Sequence, residues 1–314
     1  VLLLLIDFSK AFDLVDHNIL LHKLEHYGIR GVALNWFRTY LQDRTQFVSI
    51  NGCNSSSKVM QHGVPQGSIL GPILFIIYIN DLPNISNFAK FILYADDANI
   101  IITGRDIHEV RNKLDNLSSE LVSWVDHNGL VLNLKKTNYM VFSPHRINTQ
   151  EDIYIAGTKI ERKSEARFLG VIIDEKLNWT SHILAIKTKM ARYIGLLYKL
   201  KKILPLKARI QIYQSFVQSH LNYCSLIWGF ASTSKIDALF AKQKMGLRAT
   251  IPGFINYRYK DGVIPGHTKA SFKEFGILTV QSIIVKNALL LMHKIRHFSG
   301  CLLYTSDAAD DRVS

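Results

Sequence analysis

The sequence has few of the features that mark secreted, membrane-spanning or disordered proteins. Its 314 residues include only three cysteines, at positions 53, 224 and 301, which give neither a disulfide framework nor the paired spacing of a zinc site. A reducing compartment is therefore expected. The apolar runs fall short of the roughly 18 residues that span a bilayer. With 48% hydrophobic and 20% charged residues, the chain can bury a substantial core.

Neither end of the sequence looks like the natural end of a protein. The opening VLLLLI reaches Asp7 after six residues without a basic leader, so we expect no signal peptide and no anchor. Because a buried-type strand begins at once after Val1, we expect a fragment whose upstream part is missing. The last fourteen residues, CLLYTSDAADDRVS at 301–314, resemble a translated adaptor or vector sequence, and we interpret them as a non-native tail.

Positive charge is scarce in the first third of the chain and abundant in the last third. The net charge is −1 for residues 1–100, +4 for 101–200, +12 for 201–300 and −2 for the final fourteen residues, which gives +13 in all. A near-neutral front and a basic back suggest chemistry in front and polyanion binding behind. Charge alone leaves a merely soluble basic domain equally open.

Strands and helices alternate up to about residue 175, and the pattern beyond is helical. An α+β layer domain followed by a helical region is therefore expected. The predicted helices cover 16–27, 32–41, 68–82, the apolar stripe from Ile107 to Trp124, and one face from Ile210 to Trp228. The predicted strands cover 2–6, 90–95, 98–103, 138–142, 153–160 and 168–173, with a short hairpin over 46–61.

Three carboxylates stand at the ends of predicted core strands. Asp7 ends the first strand, and Asp96 and Asp97 form the tip of a hairpin between two apolar runs. A carboxylate in such a place is costly unless it is paired or bound to a metal. If the strands are neighbours, these hard oxygen ligands suit Mg²⁺. Two ions roughly 3.5–4 Å apart would activate a hydroxyl and stabilise a leaving pyrophosphate. From the residues alone, solvated turn aspartates remain the alternative.

Five segments resemble, in order, the motifs of reverse transcriptases from non-LTR retrotransposons. They are LIDFSKAFDLVDH at 5–17, GVPQGSILGPILFIIYINDLP at 63–83, FILYADD at 91–97, LNLKKT at 132–137 and the primer-grip-like FLG at 168–170. The combination is similar to jockey-like elements of animals and covers about residues 2–300. The resemblance implies an α+β polymerase palm, an antiparallel sheet with helices, over 1–175. It also implies an all-helical thumb over 176–300 and largely missing fingers.

The resemblance also implies a role for individual residues. Asp7 and Asp96 would bind two Mg²⁺ ions, with Mn²⁺ as a substitute, and Asp97 would support them. Lys136 would protonate the departing pyrophosphate, although a solvated surface lysine beside Lys135 is the alternative. The implied substrate-binding residues are Phe8, Phe12, Gln66, Gly67 and Tyr94, and the implied primer grip is Phe168, Leu169 and Gly170. The implied nucleic-acid-binding residues of the thumb are Lys199, Lys201, Lys202, Lys207 and Arg209.

Phe12 and the intact aspartates discriminate between candidate functions. The resemblance implies an RNA-directed DNA polymerase that serves retrotransposition, with RNA template, DNA primer and dNTPs as partners and without membrane or zinc. We expect the polymerase to be intracellular, in the cytoplasm and nucleus, as part of a retrotransposon ribonucleoprotein. Phe12 would reject a ribose 2′-hydroxyl by steric clash, which argues against an RNA polymerase, although a core aromatic is the alternative for this residue.

The other hypothesis is an inactive nucleic-acid-binding relic. Since the fingers are missing, we expect this chain alone to polymerise weakly or not at all, while its palm folds and binds Mg²⁺.

Overall fold

The computed structural model describes residues 1–143, 152–251 and 268–297, and it divides the chain into two compact units. The first unit is Val1–Glu165 and the second is Ala166–Ser314. The division falls ten residues before the predicted boundary at 175. The segment interpreted as a non-native tail, 301–314, lies outside the described residues. Within the described ranges, no helix is both long and apolar enough to cross a membrane.

The first unit is built on a six-stranded sheet in the order β6-β7-β1-β8-β10-β9. Its strands are β1 (Leu2–Ile6), β2 (Thr45–Gln46), β3 (Ser49–Ile50), β4 (Cys53–Asn54), β5 (Lys58–Val59), β6 (Ala89–Tyr94), β7 (Asp97–Ile102), β8 (Asn138–Val141), β9 (Ile153–Ile155) and β10 (Thr158–Arg162). The large sheet is antiparallel at every pairing except β8 with β10. Strand β1 pairs on both sides, which explains its continuous apolar run.

The small strands β2 to β5 form a nested double hairpin where one short hairpin was predicted. Strand β2 pairs with β5, and inside it β3 pairs with β4. All four strands are exposed, so this segment contributes little to the core.

The helices of the first unit lie close to their predicted ranges. They are α1 (His17–His26), α2 (Val32–Leu41), α3 (Leu70–Ile79) and α4 (Ile107–His127), with short 3-10 helices at Ala11–Asp13 and Leu82–Ile85. The Asp106 side chain accepts the Glu109 N–H at 2.8 Å and so caps α4. Helix α3 begins two residues later than predicted. Ser68 Oγ nevertheless accepts the Gly71 N–H at 2.9 Å, and the chain leaves α3 early into the second 3-10 helix.

Two predicted strands are in fact hairpins. Residues 153–160 contain a turn between β9 and β10, in which Ala156 and Gly157 have φ of 47° and 73°. Residues 168–173 contain the turn between β11 (Glu165–Phe168) and β12 (Val171–Asp174). Here Leu169 and Gly170 have φ of 44° and 82°. Two successive residues with positive φ make the tight turn that suits a two-residue hairpin, and the apolar pattern does not reveal such a turn.

The second unit is helical beyond β12, as predicted. Its helices are α5 (Thr180–Leu200), α6 (Leu206–Tyr213), α7 (Ser219–Asn222), α8 (Ser225–Trp228), α9 (Thr233–Thr250), α10 (Lys269–Glu274) and α11 (Val280–His297), with a π-helical stretch at Gln214–Gln218. Together the two units confirm the α+β class.

The single helical face predicted from Ile210 to Trp228 is only partly correct, because the helix is interrupted. The π-helical stretch changes the phase of the helix, and Cys224, at φ 49°, breaks it. Val217 and Trp228 are fully buried, whereas Phe216 is 45% exposed instead of belonging to the buried face.

Candidate active site

The β6–β7 hairpin places the paired aspartates beside the end of β1. Tyr94 pairs with Asp97, which leaves Ala95 and Asp96 in the turn. Strand β7 also pairs with β1, where Ile6 lies opposite Ala98. Continuing this antiparallel register by one residue puts Asp7 opposite Asp97. The predicted convergence of Asp7 on the 96–97 turn is therefore present in the fold.

The three carboxylates influence one another electrostatically. Partial burial raises the pKa of the Asp97 carboxyl, and the negative charges of Asp96 and Asp7 raise it further. A cation among them would relieve this repulsion, and carboxylate oxygens are suitable ligands for Mg²⁺. Within the described part of the chain, however, no group of three or more His, Cys, Asp or Glu side chains is arranged to hold a metal ion. Carboxylate oxygens fit a divalent ion, but the side chains of Asp7, Asp96 and Asp97 are not arranged around one shared position.

The LNLKKT segment is hydrogen-bonded directly to the backbone of Asp7. The Asn133 N–H donates to the Asp7 carbonyl at 2.8 Å, and the Asp7 N–H donates to Thr137 Oγ1 at 3.4 Å. This docking brings Lys136 Nζ to 3.9 Å from Asp7 Oδ2. The sequence pointed to Lys136, with a solvated surface lysine as the alternative, and the fold brings Lys136 to this carboxylate. Asn133 and Thr137, which hold the segment in place, were missed by sequence reasoning.

The GVPQGS loop is tied to the first motif by both backbone and side chains. The Val64 N–H donates to the Phe12 carbonyl at 2.8 Å. Gln66 Nε2 donates to Asp13 Oδ1 at 2.9 Å. Asp13 therefore positions Gln66.

Gly63 allows the close approach of these two segments. Its φ is 91°, and a Cβ at this position would lie 2.9 Å from the Asp13 carbonyl oxygen. Its N–H donates to the Val15 carbonyl at 2.8 Å, and its own carbonyl is 2.8 Å from His17 Nε2. His17 was overlooked as a positioning residue, although the DLVDH end of the first motif was its signal.

The remaining substrate-binding candidates differ in exposure. Tyr94 is 62% exposed, and Phe12 is half-buried, with its ring centroid 4.7 Å from that of Phe75. Gly67 has φ 79°, and no described atom lies within 4 Å of the position of a Cβ there. Phe8 is only 6% exposed and packs in the core, so its side chain has a structural role, and its contact with substrate stays a prediction.

In the second unit, the FLG segment is held at the β11–β12 turn by Tyr223. The Tyr223 hydroxyl donates to the Leu169 carbonyl. A Cβ on Gly170 would lie 3.4 Å from the Tyr223 ring, and φ at Gly170 is 82°. The motif is thus a turn with a fixed backbone, whereas the sequence predicted a strand. Its assignment as a primer grip stays a prediction.

One of the five basic residues assigned to nucleic-acid binding is wrongly assigned. Arg209 is 3% exposed, because it lies on the buried side of α6, and it cannot offer its guanidinium to a phosphate on the surface. Lys201 Nζ donates to the Arg248 carbonyl at 3.3 Å. Lys199, Lys202 and Lys207 are exposed and remain candidates.

An acidic hairpin turn thus lies beside the aspartate that follows β1, the LNLKKT segment is bonded to that aspartate, and the GVPQGS loop is bonded to the segment that comes next in the chain. The family model for reverse transcriptase (RNA-dependent DNA polymerase) matches residues 1–173, which is more than half of the chain, and the chain belongs to this family. This confirms the resemblance to non-LTR retrotransposon reverse transcriptases. The family generally uses divalent metal ions and binds a nucleic-acid template.

The curated relatives come from non-LTR elements of insects. The probable RNA-directed DNA polymerase from transposon X-element of Drosophila melanogaster is 29% identical over 248 residues, covering 76% of this chain and 27% of the relative. The RNA-directed DNA polymerase from mobile element jockey of the same species is 28% identical over 254 residues, covering 77% and 27%. The chain thus spans 27% of the length of these relatives. Among solved structures, apo telomerase from Candida tropicalis matches with 17% identity and a TM-score of 0.43, covering 79% of this chain and 41% of that one.

Proposed function

We propose that this chain carries the nucleotidyl-transfer site of an RNA-directed DNA polymerase that serves the retrotransposition of a non-LTR element. The observation that carries the proposal is the β1–β7 register, which brings Asp7 to the Asp96–Asp97 turn. Membership of the reverse transcriptase family supports the same reaction. The proposed partners are an RNA template, a DNA primer and dNTPs, in a ribonucleoprotein of the cytoplasm and nucleus.

The carboxylates and Lys136 have complementary roles in this proposal. Asp7, Asp96 and Asp97 are the residues that would hold two Mg²⁺ ions, or Mn²⁺ in their place. When bound, the ions supply activation of the primer 3′-hydroxyl and charge neutralisation at the leaving pyrophosphate. The raised pKa of Asp97 indicates that the protein alone leaves this site short of positive charge. Lys136, at 3.9 Å from Asp7, would donate a proton to the pyrophosphate, and its closeness to the carboxylates supports this role.

The first two motifs would hold the incoming nucleotide together. The Phe12 carbonyl and Asp13 carboxylate both bond to the loop that carries Gln66. A ring at Phe12 would therefore keep a fixed position relative to Gln66, and its bulk would reject a ribose 2′-hydroxyl. Gly67, with open space at its Cβ position, would let the backbone approach a base pair closely.

The test compares Asp96→Asn with Asp115→Asn, an exposed aspartate on α4 that serves as the charge-matched control. Both changes are made in the reading frame that contains this chain, and extension of oligo(dT) on poly(rA) is measured with Mg²⁺ and with Mn²⁺. We expect Asp96→Asn to abolish extension while RNA binding stays within about twofold, because removal of a metal ligand should cost more than the 10–100-fold typical of changing a residue that only supports a ligand. Activity that survives Asp96→Asn would overturn the metal assignment.

Binding of Mn²⁺ to this chain, measured by electron paramagnetic resonance, distinguishes an active polymerase from an inactive nucleic-acid-binding relic. We expect Mn²⁺ binding that Asp7→Asn and Asp96→Asn weaken and Asp115→Asn leaves unchanged. A wild-type chain that binds RNA but neither binds Mn²⁺ nor extends a primer in its full reading frame would establish the inactive relic. Robust synthesis by the isolated chain would instead show that the expectation of an incomplete polymerase is wrong.

A further inference from the structure

The buried hydroxyl of Tyr78 joins separate segments of the first unit that carry polymerase motifs. Tyr78 lies on α3, within the segment at 63–83 that begins with the GVPQGS loop, and it is 0% exposed. Its hydroxyl donates to the Asn128 carbonyl at 2.5 Å and accepts the Asp16 N–H at 3.3 Å. Asp16 belongs to the first motif, and Asn128 lies four residues before the LNLKKT segment. One side chain of the second motif therefore bonds to the first motif and to the loop that leads into the fourth.

The Asn128 carbonyl lies at the C-terminal end of α4, where the last carbonyls of a helix lack a partner within the helix. The N–H and the side-chain Nδ2 of Asn128 both donate to the Trp124 carbonyl, at 3.1 Å and 2.8 Å. Asn128 is 6% exposed, so its carbonyl has little access to water and depends on the Tyr78 hydroxyl as its donor. Without that donor, a buried carbonyl would lose its hydrogen bond, and a movement of the loop would relieve the cost.

The chain that follows Asn128 is bonded to the first motif. The Ser9 N–H donates to the Val131 carbonyl at 2.8 Å, and the Asn133 N–H donates to the Asp7 carbonyl at 2.8 Å. The first of these bonds lies only three residues beyond Asn128 and the second only five. Because the connection is so short, a movement of the Asn128 carbonyl would be transmitted to both bonds.

A half-buried lysine stabilises the position of the Tyr78 ring. Lys23 Nζ, from α1, donates to the Tyr78 carbonyl at 2.6 Å and to Asp81 Oδ1 at 2.7 Å. It also lies 4.9 Å from the centroid of the Tyr78 ring and 5.2 Å from that of the Trp124 ring. Burial raises the pKa of Tyr78 to about 12, so the hydroxyl keeps its proton and can donate at neutral pH.

We propose that the Tyr78 hydroxyl is a positioning group for the polymerase reaction, because it holds the LNLKKT segment where Lys136 Nζ lies 3.9 Å from Asp7 Oδ2. The inference rests on the proposed function, in which Lys136 donates a proton to the pyrophosphate. Tyr78 acts on the reaction through Asn128 and the loop beyond it, and not by contact with the substrate. Phenylalanine would fill the same space without the donor, so Tyr78→Phe separates positioning from packing.

The activity test compares Tyr78→Phe with Val110→Ala in the reading frame that contains this chain. Val110 is buried at the opposite end of α4, so its truncation costs stability without removing a polar group near Asn128. We expect Tyr78→Phe to lower kcat for primer extension about tenfold and to leave KM for dNTP within about twofold, because a displaced proton donor weakens the transition state and not substrate binding. Val110→Ala, assayed where both variants are folded, should leave both parameters within about twofold. An unchanged kcat in Tyr78→Phe overturns the proposal.

A double-mutant cycle with Lys136→Met tests the route from Tyr78 to the reaction. In the Lys136→Met background, Tyr78→Phe should lower kcat less than about twofold, because the group that the hydroxyl positions is already absent. Losses that multiply would show that Tyr78 acts independently of Lys136, and they would overturn the proposal.

Amide hydrogen exchange of this chain needs no activity and so separates a failure of this inference from a failure of the proposed function. Tyr78→Phe should speed exchange of the Asn133 and Ser9 amides about fivefold or more and that of Leu114, in the middle of α4, less than about twofold. Equal changes at the three amides, or none, overturn the inference. If exchange at Asn133 and Ser9 rises while Asp96→Asn leaves primer extension intact, the coupling through Tyr78 stands and the metal assignment of the proposed function fails.

Discussion

Two hairpins, β6–β7 in the first unit and β11–β12 in the second, have turns of similar backbone conformation but differ in the charges that lie at or near the turn. Ala95 in the first turn and Leu169 in the second both adopt positive φ, at 51° and 44°. At the first turn, partial burial raises the pKa of Asp97, and the negative charges of Asp96 and Asp7 raise it further. Near the second turn, burial lowers the pKa of His182, and the positive charges of Lys189 and Arg167 lower it further. The neighbouring charges therefore have opposite signs at the two turns and act in both cases in addition to burial.

The composition of the two units repeats this contrast. Residues 1–165 contain 16 Lys and Arg against 17 Asp and Glu, and residues 166–314 contain 22 against 8. Where the fold needs only stability, it pairs its charges: Lys23 Nζ lies 2.7 Å from Asp81 Oδ1 and donates to the Tyr78 carbonyl at 2.6 Å. The excess positive charge of the whole chain therefore lies in the second unit.

The largest effect in this comparison is expected at Lys136, the proposed proton donor near the acidic β6–β7 turn. Lys136→Met should lower the rate of primer extension in the full reading frame about 100-fold, as is typical for loss of a general acid. Lys135→Met is the matched control and should change the rate little, because the fold brings only Lys136 of this pair to Asp7. Equal losses in the two variants would show that general positive charge, and not proton donation, is what matters.

A second prediction assigns sugar selection to the first unit. Phe12→Val should raise incorporation of rNTPs relative to dNTPs about tenfold or more, since a pocket that gains space no longer rejects the larger sugar. Phe37→Val, at a half-buried aromatic of α2 that also packs on the core, should cost stability without changing sugar selection. If Phe12→Val behaves like this control, Phe12 is an ordinary core aromatic.

A third prediction separates exposed from buried cations in the second unit. Lys202→Gln combined with Lys207→Gln should weaken duplex binding several-fold and reduce the salt slope by about one for each phosphate that is no longer neutralised. Arg209→Met should leave both unchanged and keep or raise the stability, because it replaces a buried guanidinium whose Nε and Nη1 have no partner among the described residues. A reduced salt slope in Arg209→Met would place this arginine at the nucleic acid after all.

The smallest expected effect is a loss of stability of the second unit on acidification. His182 and His220 have pKa values below the ordinary value of about 6.5, so the unfolded chain binds more protons just below that pH. Their contribution to stability is therefore complete above about pH 6.5 and falls as the pH is lowered towards their folded pKa values. Thermal unfolding between pH 7.5 and 5.5 should show a flatter profile for a His182→Asn, His220→Asn double variant than for the wild type. An identical slope would contradict this assignment.

Elements whose signals are local could be predicted from the sequence. Helix α2 has the predicted bounds, and α4 begins after the Asp106 cap, because capping and a 3.6-residue apolar period are contained within the segment itself. The β9–β10 and β11–β12 turns were missed although each contains a glycine, because the residue before that glycine, Ala156 or Leu169, is not the Asn, Asp or Gly that usually begins a two-residue turn. Arg209 was misplaced because the π-helical stretch beyond α6 obscures which face of this region is buried.

In the candidate site, too, some features could be predicted from the sequence and others could not. The identities of Asp7, Asp96 and Asp97 and the family they indicate come from the motifs, whose spacing along the chain is linear information. The interactions of Lys136 with Asp7 and of Gln66 with Asp13 join residues 129 and 53 positions apart, and no local pattern encodes them.

The amino-acid sequence by itself determined the carboxylates, the family and the uneven charge of the two halves, because these depend on which residues are present and in what order. Only the tertiary structure decided that Lys136 lies 3.9 Å from Asp7, that Arg209 is buried, and that Nε2 of the buried His182 has no hydrogen-bond partner among the described residues. Such outcomes depend on strand register and on which face of a helix is covered, and both are set by packing between distant segments of the chain.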